Sequence, residues 1–206
     1  ARRIEGVSQD LIPVALANDE MLIRYAYRVA SVVGLMMAPI LGAKKAGFAF
    51  AVDLSIGMQL TNIARDVMED AQMQRRYIPG DWVDRLSAEQ IANNELADRA
   101  VVQKAIKSLL KLAETYYQSG LSGLYYLPTR NRRAIAVAAF VYRDIGRKLL
   151  GNHCIYWQGR VIVPTPRKLQ LASQALWQLT TARLAHTDCL HASELHLHIP
   201  SETHSK

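Results

Sequence analysis

Residues 59–70, Gln-Leu-Thr-Asn-Ile-Ala-Arg-Asp-Val-Met-Glu-Asp, constrain the fold more than any other stretch of the chain. They hold no Pro and no Gly, so they read as helix. Gln59, Asn62, Asp66 and Asp70 are separated by three, four and four residues. At about 100° per residue these four fall on one narrow stripe. Leu60, Ile63, Ala64, Val67 and Met68 make most of the remaining surface apolar. A helix that is apolar nearly all round is a buried one, so the polar stripe is expected to face an interior cavity. Two carboxylates four residues apart repel, by roughly 0.2–0.5 kcal/mol when exposed and more when buried. A positive charge is therefore expected between them. Oxygen donors from Asp and Asn suit a hard cation, and Mg²⁺ takes few protein oxygens and shares itself with phosphates. Taken alone, the pattern also fits a solvated helix face.

Composition narrows the class. A chain of 206 residues, half of them hydrophobic, suits one domain with an ample core. Long Gly- and Pro-poor stretches rich in Ala, Leu and Arg argue for an all-α protein. The net charge of +7 favours an anionic partner: nucleic acid, an acidic membrane surface or a phosphorylated small molecule. No Lys/Arg-rich arm or nucleic-acid motif is present, which ranks nucleic acid last. Two cysteines, Cys154 and Cys189, give no disulfide framework and fit a reducing compartment. No signal peptide is recognised, and the best apolar run, residues 29–41, is interrupted by Gly34 and Pro39, so no spanning helix is expected.

Taken in order, Asn18 is a candidate N-cap with Asp19 and Glu20 behind it, where carboxylates favour the helix dipole. Ala26, Ala30 and Gly34 recur every four positions and allow close approach of another helix or of a long apolar ligand. Pro39 is expected to end or kink this element. A central helix is expected from about residue 45 to 73, with Arg75, Arg76 and Tyr77 at its C-terminal end. Ser87 to Gln90 is a capping-box candidate. A long amphipathic helix should run from about 95 to 119 and stop at Gly120. The segment 132–145 reads as another helix, containing Tyr142. Arg160 reads equally as a phosphate contact or a plain surface arginine. Thr165 and Pro166 should open the last helix, which fades near residue 185. Residues 1–185 then form the domain, and 186–206 a disordered tail with five of the six histidines. His191, His196 and His198 with Cys189 in that tail match no closed metal site.

The stretch 59–70, followed by four spacers and Arg75-Arg76-Tyr77-Ile78-Pro79, resembles the second aspartate-rich motif of the squalene and phytoene synthases, the head-to-head prenyl synthases. The family pattern is approximately Q-x-x-N-I-x-R-D-x-x-E-D and then R-x-Y-x-P, and every fixed position is matched. The segment from Tyr25 to Gly34 and those around Tyr125 and Tyr142 also resemble the family, so the likeness runs from residue 4 to about 176. It implies an all-α, single-domain helical bundle of the type I isoprenoid synthase kind, N-terminally incomplete. The family's first aspartate-rich motif normally precedes a segment like residues 4–10, and no second DxxxD partner occurs in this chain. A missing N-terminal segment or another chain is therefore expected to complete the bundle, and the 206 residues alone are expected to turn over little substrate.

The reaction this resemblance implies is ionisation of an allylic diphosphate. Asn62, Asp66 and Asp70 are implied as ligands of Mg²⁺, with Mn²⁺ as an alternative. Gln59, Asn62, Arg65, Arg75 and Tyr77 are implied as substrate contacts, Tyr25 and Tyr142 as catalytic groups with Asp66 and Asp70 at the diphosphate end, and Val29 and Val33 (with Val32) as lining of a hydrocarbon tunnel. Residues 34–39 look most like the bacterial phytoene synthases, which join two geranylgeranyl diphosphates in carotenoid biosynthesis without a reductant. Squalene or dehydrosqualene synthesis from farnesyl diphosphate is the alternative, and a non-catalytic assembly protein is a reading from another class. A cytoplasmic protein, peripheral at the inner membrane, is the expected location.

Overall fold

The computed structural model describes residues 14–181, 191 and 193–197. The expectations placed on residues 1–13, on Cys189 and on His198 lie outside the described residues. Among the described residues there is no strand, only an isolated bridge between Ala15 and Arg76. The rest is helix and connecting loop, as the composition implies.

Helix α1 spans Asp19–Ala26, and Asn18 caps it as expected: its side chain accepts the Met21 N–H at 3.0 Å. A π-helical turn, Tyr27–Ser31, joins α1 directly to α2, Val32–Ile40. Such a turn takes in one residue more than an α-turn and rotates the faces that follow it. Gly34 thereby comes against the next long helix, where an added Cβ would stand 2.2 Å from Ser55 Oγ. Neither Gly34 nor Pro39 interrupts the run; Pro39 lies one residue before the end of α2. The continuous stretch Asp19–Ile40 is consequently long and apolar enough to cross a membrane, at a mean hydropathy of 1.3, contrary to the sequence expectation. It also packs into the bundle, which buries 39% of that window.

The long helix α3, Phe48–Arg65, is the axis of the bundle. It is followed after a break at Asp66 (φ −100°, ψ 15°) by α4, Val67–Gln72. The continuous central helix expected from the sequence is therefore two. A short α5, Ala88–Asn93, opens with the expected capping box at Ser87 and Gln90. Then come α6, Leu96–Ser122, α7, Thr129–Gly151, and α8, Thr165–Thr180. Pro164, not Thr165, occupies the N-cap of α8.

The densest packing is α3 against α6. Gly120, expected to stop α6, lies inside it. Its role is proximity: an added Cβ would stand 2.7 Å from the Leu54 backbone. Fully buried Ile56, Leu60, Ile106 and Leu109 fill the seam on either side. Around this pair, α2 and α7 also touch α3, while α7 and α8 pair with each other. The α7–α8 contact is fixed by buried Asp144, which accepts from Arg167 Nη2 at 2.7 Å.

Gly120→Val should be costly because its neighbour is backbone and has little room to yield. Overpacking of this kind costs about 1–3 kcal/mol, more than the roughly 0.5 kcal/mol gained by taking glycine out of a helix. Urea unfolding followed by circular dichroism should show that net loss, with α3 and α6 forced apart.

Candidate active site

The polar stripe survives the helix break. Asp66 N–H donates to Asn62 O at 2.9 Å, and Asp70 N–H donates to Asp66 O at 2.8 Å. The backbone ladder thus runs through the three residues themselves and keeps them on successive turns of one side. Asn62 is half-buried, and its Oδ1 is buried without a hydrogen-bond partner. A buried acceptor left unmatched costs about 1–3 kcal/mol, so this oxygen is a ready ligand for a cation or a donor.

Asp66 is held by two guanidinium groups. Arg65 Nε and Nη2 donate to its two oxygens at 2.7 Å each, and Arg160 Nε and Nη2 donate to the same two at 3.0 Å. Burial pushes the Asp66 carboxyl up, but hydrogen bonds and charge from Arg65, then Arg160, outweigh it and hold the group below the ordinary carboxylate value. The same contact, its hydrogen bond first, raises Arg65. Two arginines thus neutralise Asp66. Arg160 is not a bare surface arginine: it spans 94 residues to reach Asp66 and stands 3.9 Å from Glu69.

A second group gathers one turn further on. Asp70, Arg75 and Tyr77 line one small cleft, and Arg75 N–H donates to Asp70 O at 2.9 Å. Buried Tyr25 stacks on Tyr77 with ring centroids 4.7 Å apart, which brings α1 to this end of the motif. Arg76 borders the same cleft. Its Nη1 donates to Leu16 O at 2.9 Å and Ile78 O at 2.7 Å, tying the segment before α1 to the loop after α4. Tyr142 on α7 is half-buried and acts electrostatically on Arg65. Gln59 is half-buried on α3.

On the same helix lies an apolar cavity of about 150 Å³, lined by Leu54 and Met58 of α3, Met37 and Ala38 of α2, Leu124 and Ile135. Leu54, Met58, Asn62 and Asp66 follow at four-residue steps, so one face of α3 passes from apolar lining to oxygen donors. Val29 and Val33 do not line this cavity. Val29 is half-buried against the core and Val33 is exposed. Gly34, Met37 and Ala38 take that place on α2. The four-residue step back from Asn62 was the available signal for Leu54 and Met58. For Arg160 the local sequence held none.

The residues fit a hard divalent cation. Asn62 Oδ1 is an orphaned acceptor, the Asp66 carboxyl is kept ionised, and the Asp70 carboxylate is on the next turn, an all-oxygen set suited to Mg²⁺.

A family model described as squalene/phytoene synthase matches residues 1–167. The chain is 40% identical over 186 residues to the 15-cis-phytoene synthase of Enterobacter agglomerans, covering 88% of this chain and 62% of that protein. It is 41% identical over 172 residues to the phytoene synthase of Thermus thermophilus, covering 78% and 58%. A crystal structure of a dehydrosqualene synthase in complex with ligand superposes at a TM-score of 0.79 and 29% identity, covering 87% of this chain and 64% of that one. The chain thus spans about three-fifths of the length of the curated relatives it matches.

Arg160→Ala should move the Asp66 carboxyl titration upward, because one of its two guanidinium partners is gone while Arg65 remains. With the folded value below the unfolded one of about 3.9, this carboxylate stabilises the protein above that pH, and the contribution is lost as pH falls through the folded value. In the variant, acid unfolding should begin at a higher pH. Carbon-detected NMR titration and pH-dependent melting measure the two effects.

Proposed function

The chain belongs to the squalene/phytoene synthase family, and from that premise we propose that it carries the second aspartate-rich half of a head-to-head prenyl synthase site, joining two geranylgeranyl diphosphates into phytoene. The observation that carries this reading is the single face of α3 on which an apolar cavity gives way to Asn62 and Asp66, with Asp70 one turn further. Identities of 40% and 41% to phytoene synthases support the choice of product. Dehydrosqualene formation from farnesyl diphosphate is the second reading, supported by the 0.79 superposition on a dehydrosqualene synthase. A scaffold role is disfavoured, because mutually repelling carboxylates in a half-buried site serve no packing purpose.

Asn62, Asp66 and Asp70 would hold Mg²⁺. When bound, it supplies neutralisation of the negative charge that gathers on a departing diphosphate. Arg65 and Arg75 flank the same stripe and would bind the phosphate oxygens, with Tyr77 in the Arg75 cleft, Tyr25 stacked on Tyr77, and Tyr142 on α7. Leu54, Met58 and Ala38 hold the prenyl chain and keep water from the allylic cation that ionisation leaves. A lipid substrate and product, together with exposed Val33, Met36, Met37 and Ile40 on α2, support peripheral association of a cytoplasmic protein with a membrane surface.

Product analysis with Mg²⁺ and each prenyl diphosphate tests this, on the 206-residue chain and on a fusion with the preceding segment of a relative. Asp66→Asn in the active form should lower kcat by about 10²–10³-fold with the helical circular dichroism intact. Unimpaired turnover in that variant would refute the metal assignment.

A further inference from the structure

Three carboxylates in the interior or half-interior of the bundle face arginine: Asp66 faces Arg65 and Arg160, Asp144 faces Arg167, and Glu114 faces Arg143. Asp53 does not follow them. It is fully buried on α3, and among the described residues its ion-pair partners are two histidines. His191 Nε2 stands 2.8 Å from Asp53 Oδ2, and His196 Nε2 stands 2.7 Å from Oδ1. The two imidazole nitrogens and the carboxylate oxygen lie within 4.8 Å of one another. We infer that Asp53, His191 and His196 form a binding site for a divalent cation of the zinc type.

Its surroundings are those of a built site. Ser119 Oγ on α6 donates to Asp53 Oδ2 and fixes the carboxylate. The Phe50 ring meets His191 edge-on at 5.2 Å, and Tyr116 O–H donates to Leu195 O at 2.9 Å, pinning the short turn that carries His196. Outer contacts of this kind orient metal ligands and raise their affinity. The two histidines are separated by four residues, within the His-x₃₋₅-His spacing of zinc sites, and the carboxylate comes from 138 residues away. Two nitrogens and one oxygen suit zinc, whereas Mg²⁺ takes oxygens alone. Donors about 2.0–2.1 Å from a tetrahedral zinc stand roughly 3.3 Å apart. The present contacts of 2.7–2.8 Å therefore need to open by about half an ångström, a side-chain adjustment. The site is separate from the Asn62–Asp66–Asp70 stripe: Asp53 and Asp66 are 13 residues apart on one helix, about 20 Å along its axis. A cation here would clasp His191 and residues 193–197 to α3 beside the end of the cavity that Phe50 lines.

The test is zinc retention by the 206-residue protein. Chelator-stripped chain is loaded with Zn²⁺, passed through a desalting column and its metal measured. Co²⁺ loading followed by visible absorption reports the ligand geometry. The wild type should retain one zinc more per chain than the His191→Ala/His196→Ala double variant, millimolar Mg²⁺ should not displace it, and Asp66→Asn should leave it unchanged. Asp53→Asn, which keeps a hydrogen-bond acceptor but loses the charge, should weaken retention by roughly tenfold or more. The double variant leaves the Asp53 carboxylate buried with Ser119 alone, so its helical circular dichroism is recorded beside it; Asp53→Asn leaves no such charge, and undiminished zinc retention in it would equally overturn the proposal. Equal zinc in wild type and double variant, or none in either, overturns the proposal and leaves a hydrogen-bonded clasp only.

Discussion

Burial of α3 is the constraint to which the rest of this bundle answers. A helix enclosed by α2, α6 and α7 can carry acidic residues only if each finds a partner, because an uncompensated buried charge costs several kcal/mol whereas an exposed ion pair is worth about 0–1 kcal/mol. The partners come from far along the chain: Arg160 for Asp66, and His191, His196 and Ser119 for Asp53. These long-range pairings determine where the loop after α7 and the residues beyond α8 must lie. Close approach of α6 at Gly120 makes the enclosure tight enough for the rule to bite.

What could be read from the sequence follows from range. The stripe Gln59, Asn62, Asp66 and Asp70 is a local periodicity, and the helical ladder between Asn62, Asp66 and Asp70 preserves it. Caps at Asn18 and Ser87 are local chemistry and were equally legible. The extent of the helices was less so. Gly34 and Gly120 are local breakers by propensity, yet packing against α3 overrides them, whereas α2 does end one residue after Pro39. The π-turn at Tyr27–Ser31 has no marker in the spacing of small residues. Asp53 sits in an otherwise apolar run that carries no local sign of its role, since its partners lie 138 and 143 residues away.

The charges around the motif also constrain what can enter it. Asp66, Glu69 and Asp70 supply three negative charges, and Arg65, Arg75 and Arg160 supply three positive ones, with Asp66 already engaging two of the arginines. The resting site is thus balanced. A diphosphate entering it brings several negative charges that arginines already matched to carboxylates cannot cancel unaided. Either the carboxylates must take up further cations, freeing Arg65 and Arg160 to turn toward phosphate, or the anion is refused. Asn62, whose buried Oδ1 has no donor, is the residue that gains most from the first course. For the proposed substrate, electroneutrality in a half-buried site would couple anion entry to cation entry, and the apolar stretch of α3 from Leu54 to Met58 would confine the exchange to one end of the helix.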